Sequence, residues 1–199
     1  NFCVVPYTRG EEFSRPIEDV YLEANNLVAL GSREIILLGQ NVTAYHGKDF
    51  SGKEQGIHKL IEKLAKIKDL RRIRYITSHP LDIDQNIISI HGTEKKLMPF
   101  LHLPIQSGSN KILRSMNRKY TVEDYISIVK KFRSICSDMQ FSSDFIVGYP
   151  GETEQDFQAT IQLVERIRFA QSFSFKFSPR AGTPSAESKE QVDPKVSSK

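Results

Sequence analysis

Four short polar segments carry the residue types that hold small ligands: Gly39-Gln40-Asn41, Ser78-His79-Pro80, the run from Pro104 through Gln106, Ser107 and Gly108 to Ser109, and Gly148-Tyr149-Pro150-Gly151-Glu152. Small residues let a ligand lie against backbone N–H groups, and side-chain amides satisfy carboxylate, amine and ribose groups without adding net charge. Taken singly, each segment is ordinary turn composition. A fifth feature is Cys3, which runs directly into Val4-Val5-Pro6-Tyr7-Thr8-Arg9-Gly10. The only other cysteine is Cys136, so no disulfide framework is possible, and a reduced cysteine is more often packed, catalytic or metal-bound.

Other chemistries are poorly supported. The sequence holds no phosphate-binding G-x-x-x-x-G-K-[ST] loop, no G-x-G-x-x-G turn and no nucleophile elbow. The histidines at 46, 58, 79, 91 and 102 lack metal-ligand spacing and read as surface or packing residues. His79 stands apart because it follows the end of an expected strand.

The polar segments gain meaning from the elements that position them. Residues 16–30 repeat apolar side chains at helical spacing, with Ser14 as an expected cap, Pro16 in the first turn and Gly31 as the stop. Further helices are expected over 57–67, 84–90, 121–135 and 154–168, the last two opened by the pairs Thr121/Asp124 and Thr153/Asp156. Strands are expected over 34–38, 72–77, 100–105, 140–147 and 171–177. The alternation implies a parallel sheet covered by helices, as a partial or full β/α barrel or, nearly as well, a doubly wound open sheet. In either architecture the loops after the strands hold the ligand, and the four polar segments fall there.

Bulk properties set the class. The chain has 199 residues, 39% apolar and 26% charged, which is ordinary globular composition. The longest aliphatic run, Ile35 to Leu38, is far too short to cross a bilayer, so a cytoplasmic location without a membrane partner is expected. The net charge is +4, and Lys53, Lys59, Lys63, Lys66, Lys68, Arg71, Arg72 and Arg74 cluster in one span. Such a cluster permits a nucleic-acid partner and equally makes the solvated face of a helix.

The order and content of the motifs resemble the MiaB-type tRNA methylthiotransferases of the radical SAM superfamily. The resemblance rests on Cys3 followed by VVPYTRG, SRP at 14–16, LLGQNV at 37–42, TSHP at 77–80, HLPIQSGS at 102–109, SDFIVGYPGETEQDF at 143–157 and FSPRAGTP at 177–184. Relatives acting on a ribosomal protein or on threonylcarbamoyl-adenosine usually depart from VVPYTRG or from the QNV element, which favours the isopentenyl-adenosine branch. The resemblance implies an α/β fold, a partial (β/α)6 radical-SAM barrel truncated before its first strand. It also implies S-adenosylmethionine and a 4Fe-4S cluster bound by a C-x3-C-x2-C motif, of which Cys3 is the third member. Cysteine thiolates are the usual ligands of such clusters. The implied reaction generates a 5′-deoxyadenosyl radical that takes hydrogen from C2 of N6-isopentenyladenosine, beside the anticodon of tRNA. Sulfur from a second cluster and a methyl group then complete the 2-methylthio product.

Carried over motif by motif, Gly39, Gln40 and Asn41 face the methionine part of the cofactor, and Gln106 and Ser107 contact ribose or carboxylate. Gly148, Pro150 and Gly151 let adenine lie near the backbone. Asp144 lies in an expected buried strand, where an ionised carboxylate needs a partner, either the ligand or an internal arginine. Arg9 offers a planar fork to RNA phosphate or a cofactor carboxylate, and Tyr7 a stacking surface for an extruded base. Cys136 has no counterpart among the cluster ligands and is expected to be buried. The resemblance divides the chain into a radical SAM core at 1–179, incomplete at its start, and a linker at 180–199 toward a C-terminal RNA-binding TRAM domain. An N-terminal domain with the second cluster would precede the core. With one cluster cysteine of three, this chain alone is expected to be inactive and to hold no stable cluster. The full enzyme would also need an electron donor.

Overall fold

The computed structural model describes residues 12–76 and 78–197. They form two compact units, one of residues 13–103 with 128–141 and one of 104–127 with 142–197.

The first unit opens with α1 (Ile17–Ala29), which buries Ile17, Ala24 and Val28 along one face. Ser14 does not cap it. Pro16 occupies the cap position, and the Ser14 hydroxyl instead accepts the backbone N–H of His46 at 3.2 Å. Gly31, at φ 109°, ends the helix in a conformation that glycine adopts freely. Strand β1 (Glu34–Leu37) then pairs in parallel with β4 (Arg72–Tyr75), Glu34 opposite Arg72 and Leu37 opposite Tyr75. The segment between them is more ordered than its polar sequence suggests. It holds a 3-10 turn at Val42–Ala44, an antiparallel hairpin of β2 (His46–Lys48) and β3 (Glu54–Gly56), and helix α2 (Ile57–Leu64). The hairpin turn closes on Asp49, which accepts from the amides of Ser51 and Lys53 and the side chains of Ser51 and Gln55. Helix α2 stops at Leu64 rather than 67, and Lys96 Nζ takes up the carbonyls of Ala65 and Ile67 at 2.6 and 2.7 Å.

Helix α3 (Gln85–Thr93) begins with Asp84 accepting the Ile87 N–H. Strand β5 (Phe100–His102) is half the expected length, since Pro104 supplies no N–H to continue a ladder. The core of this unit is built from Ile57, Leu60, Ile61 and Leu64 with Ile73 and Tyr75. Within it the Tyr75 hydroxyl lies 2.8 Å from His91 Nε2, and the His91 ring meets Phe132 edge-on at 5.3 Å. Half of the basic cluster is paired locally, on three carboxylates: Lys63 pairs with Glu18, Lys59 with Glu62, and Arg72 and Arg74 both reach Glu34.

In the chain order that follows come α4 (Asn110–Ser115), α5 (Val122–Ile135), β6 (Gln140–Val147), α6 (Glu154–Ile167) and β7 (Gln171–Lys176). Helix α4 has no counterpart in the sequence reading. Both expected capping boxes form, with Thr121 and Asp124 exchanging bonds at 2.9 and 3.2 Å and Thr153 and Asp156 doing the same at α6. In the second unit β6 and β7 pair in parallel from Ser142 opposite Gln171 to Val147 opposite Lys176. Cys136 is a free thiol and only half-buried, because it sits just past the last turn of α5. Among the described residues no helix is long and apolar enough to cross a membrane.

Candidate cofactor-binding loops

In the first unit, Gly39 and Gln40 lie exposed just past the end of β1. Asn41 is held fast. Its Nδ2 donates to Asp82 Oδ2 at 2.6 Å, and its Oδ1 accepts the Thr43 hydroxyl at 2.7 Å. Thr43 Oγ1 in turn accepts the backbone N–H of His79 at 3.3 Å. The loop after β1 is thereby tied to the loop after β4. His79 Nδ1 accepts the Leu81 N–H, so the residue kept as a candidate serves to begin the 3-10 turn at Pro80–Asp82.

In the second unit, Gln106 is threaded against β6. Its N–H donates to the Asp144 carbonyl at 3.0 Å, and its carbonyl accepts the Ile146 N–H at 2.9 Å. It holds φ 80°, in the left-handed region where a non-glycine residue is uncommon. Asp144 is half-buried rather than buried, since the residues beside it on β6 alternate in exposure beyond Ser143. Ser107 is completely buried, and its Oγ accepts the Ser109 N–H at 3.1 Å, which closes the turn. Gly108 is fixed by close approach: a Cβ there would lie 2.5 Å from the Ala159 carbonyl oxygen and the Thr160 Cα of α6.

The loop after β6 turns at Gly148 (φ 70°) and Gly151 (φ 79°), around a buried Pro150. Its donors are engaged within the unit. The Gly148 N–H goes to Glu152 Oε2 at 2.5 Å and the Gly151 N–H to the Glu190 carbonyl at 2.8 Å. Burial pushes the Glu152 carboxyl above its ordinary range, with the Gly148 amide opposing the shift. The segment beyond Arg180 thus folds back onto this loop.

Asp156 joins the two loops of this unit. Its carboxylate accepts the Ser109 hydroxyl at 2.6 Å, the Thr153 N–H and hydroxyl at 2.9 and 2.7 Å, and Lys111 Nζ at 3.1 Å, while Lys111 also donates to the Gly151 carbonyl. Burial raises its pKa, but the bonds from Ser109, Thr153 and Lys111 outweigh that and hold the carboxyl well below the usual range. The sequence reading treated Asp156 only as a helix cap and did not single out Asp82. Nothing local marked either one as a clamp between loops.

Cys3, Tyr7 and Arg9 lie outside the described residues, as does Thr77. Among the described residues no cluster of three histidine, cysteine or acidic side chains is arranged to hold a metal ion.

The family model for the Radical SAM superfamily matches residues 1–164. The chain belongs to the radical SAM superfamily. This radical SAM chain is 60% identical, over 195 residues, to the tRNA-2-methylthio-N(6)-dimethylallyladenosine synthase of Wolbachia sp. subsp. Brugia malayi (strain TRS), covering 98% of the chain and 44% of the relative. It is 56% identical over 198 residues to the enzyme of the same name from Ehrlichia ruminantium strain Welgevonden, covering all of the chain and 44% of the relative. The chain therefore spans less than half the length of these curated relatives. Among solved structures it resembles the Escherichia coli radical SAM enzyme coproporphyrinogen III oxidase, HemN, with TM-score 0.60 at 16% identity, covering 90% of the chain and 42% of that protein. It also resembles Streptococcus suis SuiB bound to S-adenosylmethionine, with TM-score 0.58 at 14% identity, covering 94% of the chain and 38% of that protein. At such identities these two likenesses show the fold alone, an α/β fold.

Proposed function

We propose that this chain is the radical SAM portion of a methylthiotransferase that places a 2-methylthio group on N6-isopentenyladenosine beside the anticodon of tRNA. The observation that carries the reading is the 60% identity, across 98% of the chain, to a relative named for that reaction. A cytoplasmic location and an electron donor follow from the same reading. So do the division at residues 179 and 180 and a following RNA-binding domain.

The residues fit S-adenosylmethionine. The strand-end loop at Gly39-Gln40 is exposed and carries an uncommitted amide, and the turn at Gly148 to Gly151 holds two left-handed, half-buried glycines, with Ser197 and Glu190 close against them. In this reading Gln40 faces the amino-acid end of the cofactor and Gln106 its ribose or carboxylate. Asp144 faces the ligand from β6, and Gly148, Pro150 and Gly151 make the adenine shelf. Ser107 keeps the turn closed and is left out of the ligand set. Cys3 is the cluster ligand, Tyr7 stacks on the target base and Arg9 takes phosphate. When bound, the cluster and S-adenosylmethionine supply the one-electron chemistry that opens a C–H bond.

In the full-length protein, Cys3→Ala is expected to remove the iron and visible absorbance of one 4Fe-4S cluster after anaerobic reconstitution, together with reductive cleavage of S-adenosylmethionine. Unchanged iron content and cleavage in that variant would overturn the role of Cys3.

A further inference from the structure

We propose that Asp82 is a positioning residue for the loop after β1, and that it reserves Gln40, and not Asn41, for the cofactor. The inference rests on the reading of Gly39-Gln40-Asn41 as a cofactor loop and refines it.

A side-chain amide offers an oxygen with two lone pairs and a nitrogen with two N–H donors, and a bond at each atom fixes its orientation. In Asn41 both are committed, the nitrogen to the Asp82 carboxylate at 2.6 Å and the oxygen to the Thr43 hydroxyl at 2.7 Å. A short bond to an ionised carboxylate is about twice as strong as a neutral one. Asp82 is itself anchored, since its N–H donates to the His79 carbonyl at 3.0 Å and it stands at the end of a 3-10 turn begun by the buried Pro80. Thr43 is buried and completes the tie through the His79 amide. Gln40 is exposed and has no hydrogen-bond partner among the described residues. The loop thus holds two adjacent amides in opposite conditions, one held at both ends by the scaffold and one free. Removing Asp82 would release Asn41 and let the segment carrying Gln40 move, so a side chain that touches no ligand would still set affinity.

The test uses the full-length protein with its clusters reconstituted. S-adenosylmethionine dissociation constants are measured by equilibrium dialysis for the parent, Q40A, N41A, D82A, D82N and N41A/D82A, alongside thermal unfolding of each. Loosening the tie is expected to weaken binding about tenfold in N41A, in D82A and in the double variant alike, because all three break one interaction. Q40A is expected to weaken binding at least as much with its unfolding midpoint unchanged. D82N, which retains an acceptor for Asn41, should recover most of the affinity, a rescue that a purely structural defect would not show. Parent-like binding by D82A, or losses in N41A and D82A that add in the double variant, would overturn the inference. A parent that binds no S-adenosylmethionine would instead overturn the cofactor reading, while non-additive unfolding of N41A and D82A would still confirm the tie.

Discussion

Replacing Asp156 with alanine is expected to destabilise the fold by about 3 kcal/mol, from the loss of a capping box and of charge-assisted bonds at a carboxylate that is 9% exposed. The Ser109 hydroxyl and the Thr153 amide and hydroxyl would lose their acceptor together. The Lys111 pair contributes least, since that side chain is half in solvent. Asp156→Asn keeps one acceptor oxygen and should cost less than half as much. Urea unfolding of the parent and both variants reads the difference. An alanine variant within about 0.5 kcal/mol of the parent, the range of an ordinary surface substitution, would show that Asp156 is not the tie between the two loops.

Acid is expected to weaken the first unit by about 3 kcal/mol as pH falls from 6.5 to about 4, through His91 alone. Burial lowers the His91 pKa from 6.5 to about 4, so in this window the unfolded chain binds a proton that the folded chain refuses. Stability attributable to His91 is therefore level above 6.5, falls steadily through the window and levels again below about 4. Its surroundings offer no carboxylate relief: Tyr75 holds Nε2 and the Phe132 ring closes one side. Nδ1 is buried without a partner. The double variant Y75F/H91L removes both polar groups at once and should flatten this part of the pH profile at little cost at neutral pH. Urea midpoints measured from pH 7 to 4 for parent and double variant test this. Equal slopes in both proteins would refute it.

What was legible in the sequence was what neighbours decide. Residues three apart form the capping boxes of α5 and α6, and β6 runs from Gln140 to Val147 as its β-branched and aromatic content implied. The hairpin of β2 and β3 was not legible, because three-residue strands carry too few side chains for alternation to show. Helix α4 escaped for a related reason, a six-residue turn whose start is marked only by Ser109 accepting the Ile112 N–H. In the candidate site, the loops were found by composition while their clamps were not. Asn41 reaches Asp82 across 41 residues of sequence and Ser109 reaches Asp156 across 47, separations at which no local pattern signals contact. Ser14 misled because a cap was sought by residue type, whereas Pro16 had already taken the position and left the hydroxyl for His46.

The proposed reaction takes place on tRNA. The direct measurement incubates the full-length, cluster-reconstituted protein under anaerobic reductant with S-adenosylmethionine and tRNA that carries isopentenyladenosine beside the anticodon, and identifies nucleosides after digestion by mass spectrometry. The expected result is 2-methylthio-isopentenyladenosine in place of isopentenyladenosine, and no product on tRNA whose adenosine lacks the isopentenyl group. Methylthiolation of threonylcarbamoyl-adenosine or of a ribosomal protein instead, with isopentenyladenosine left unchanged, would contradict it.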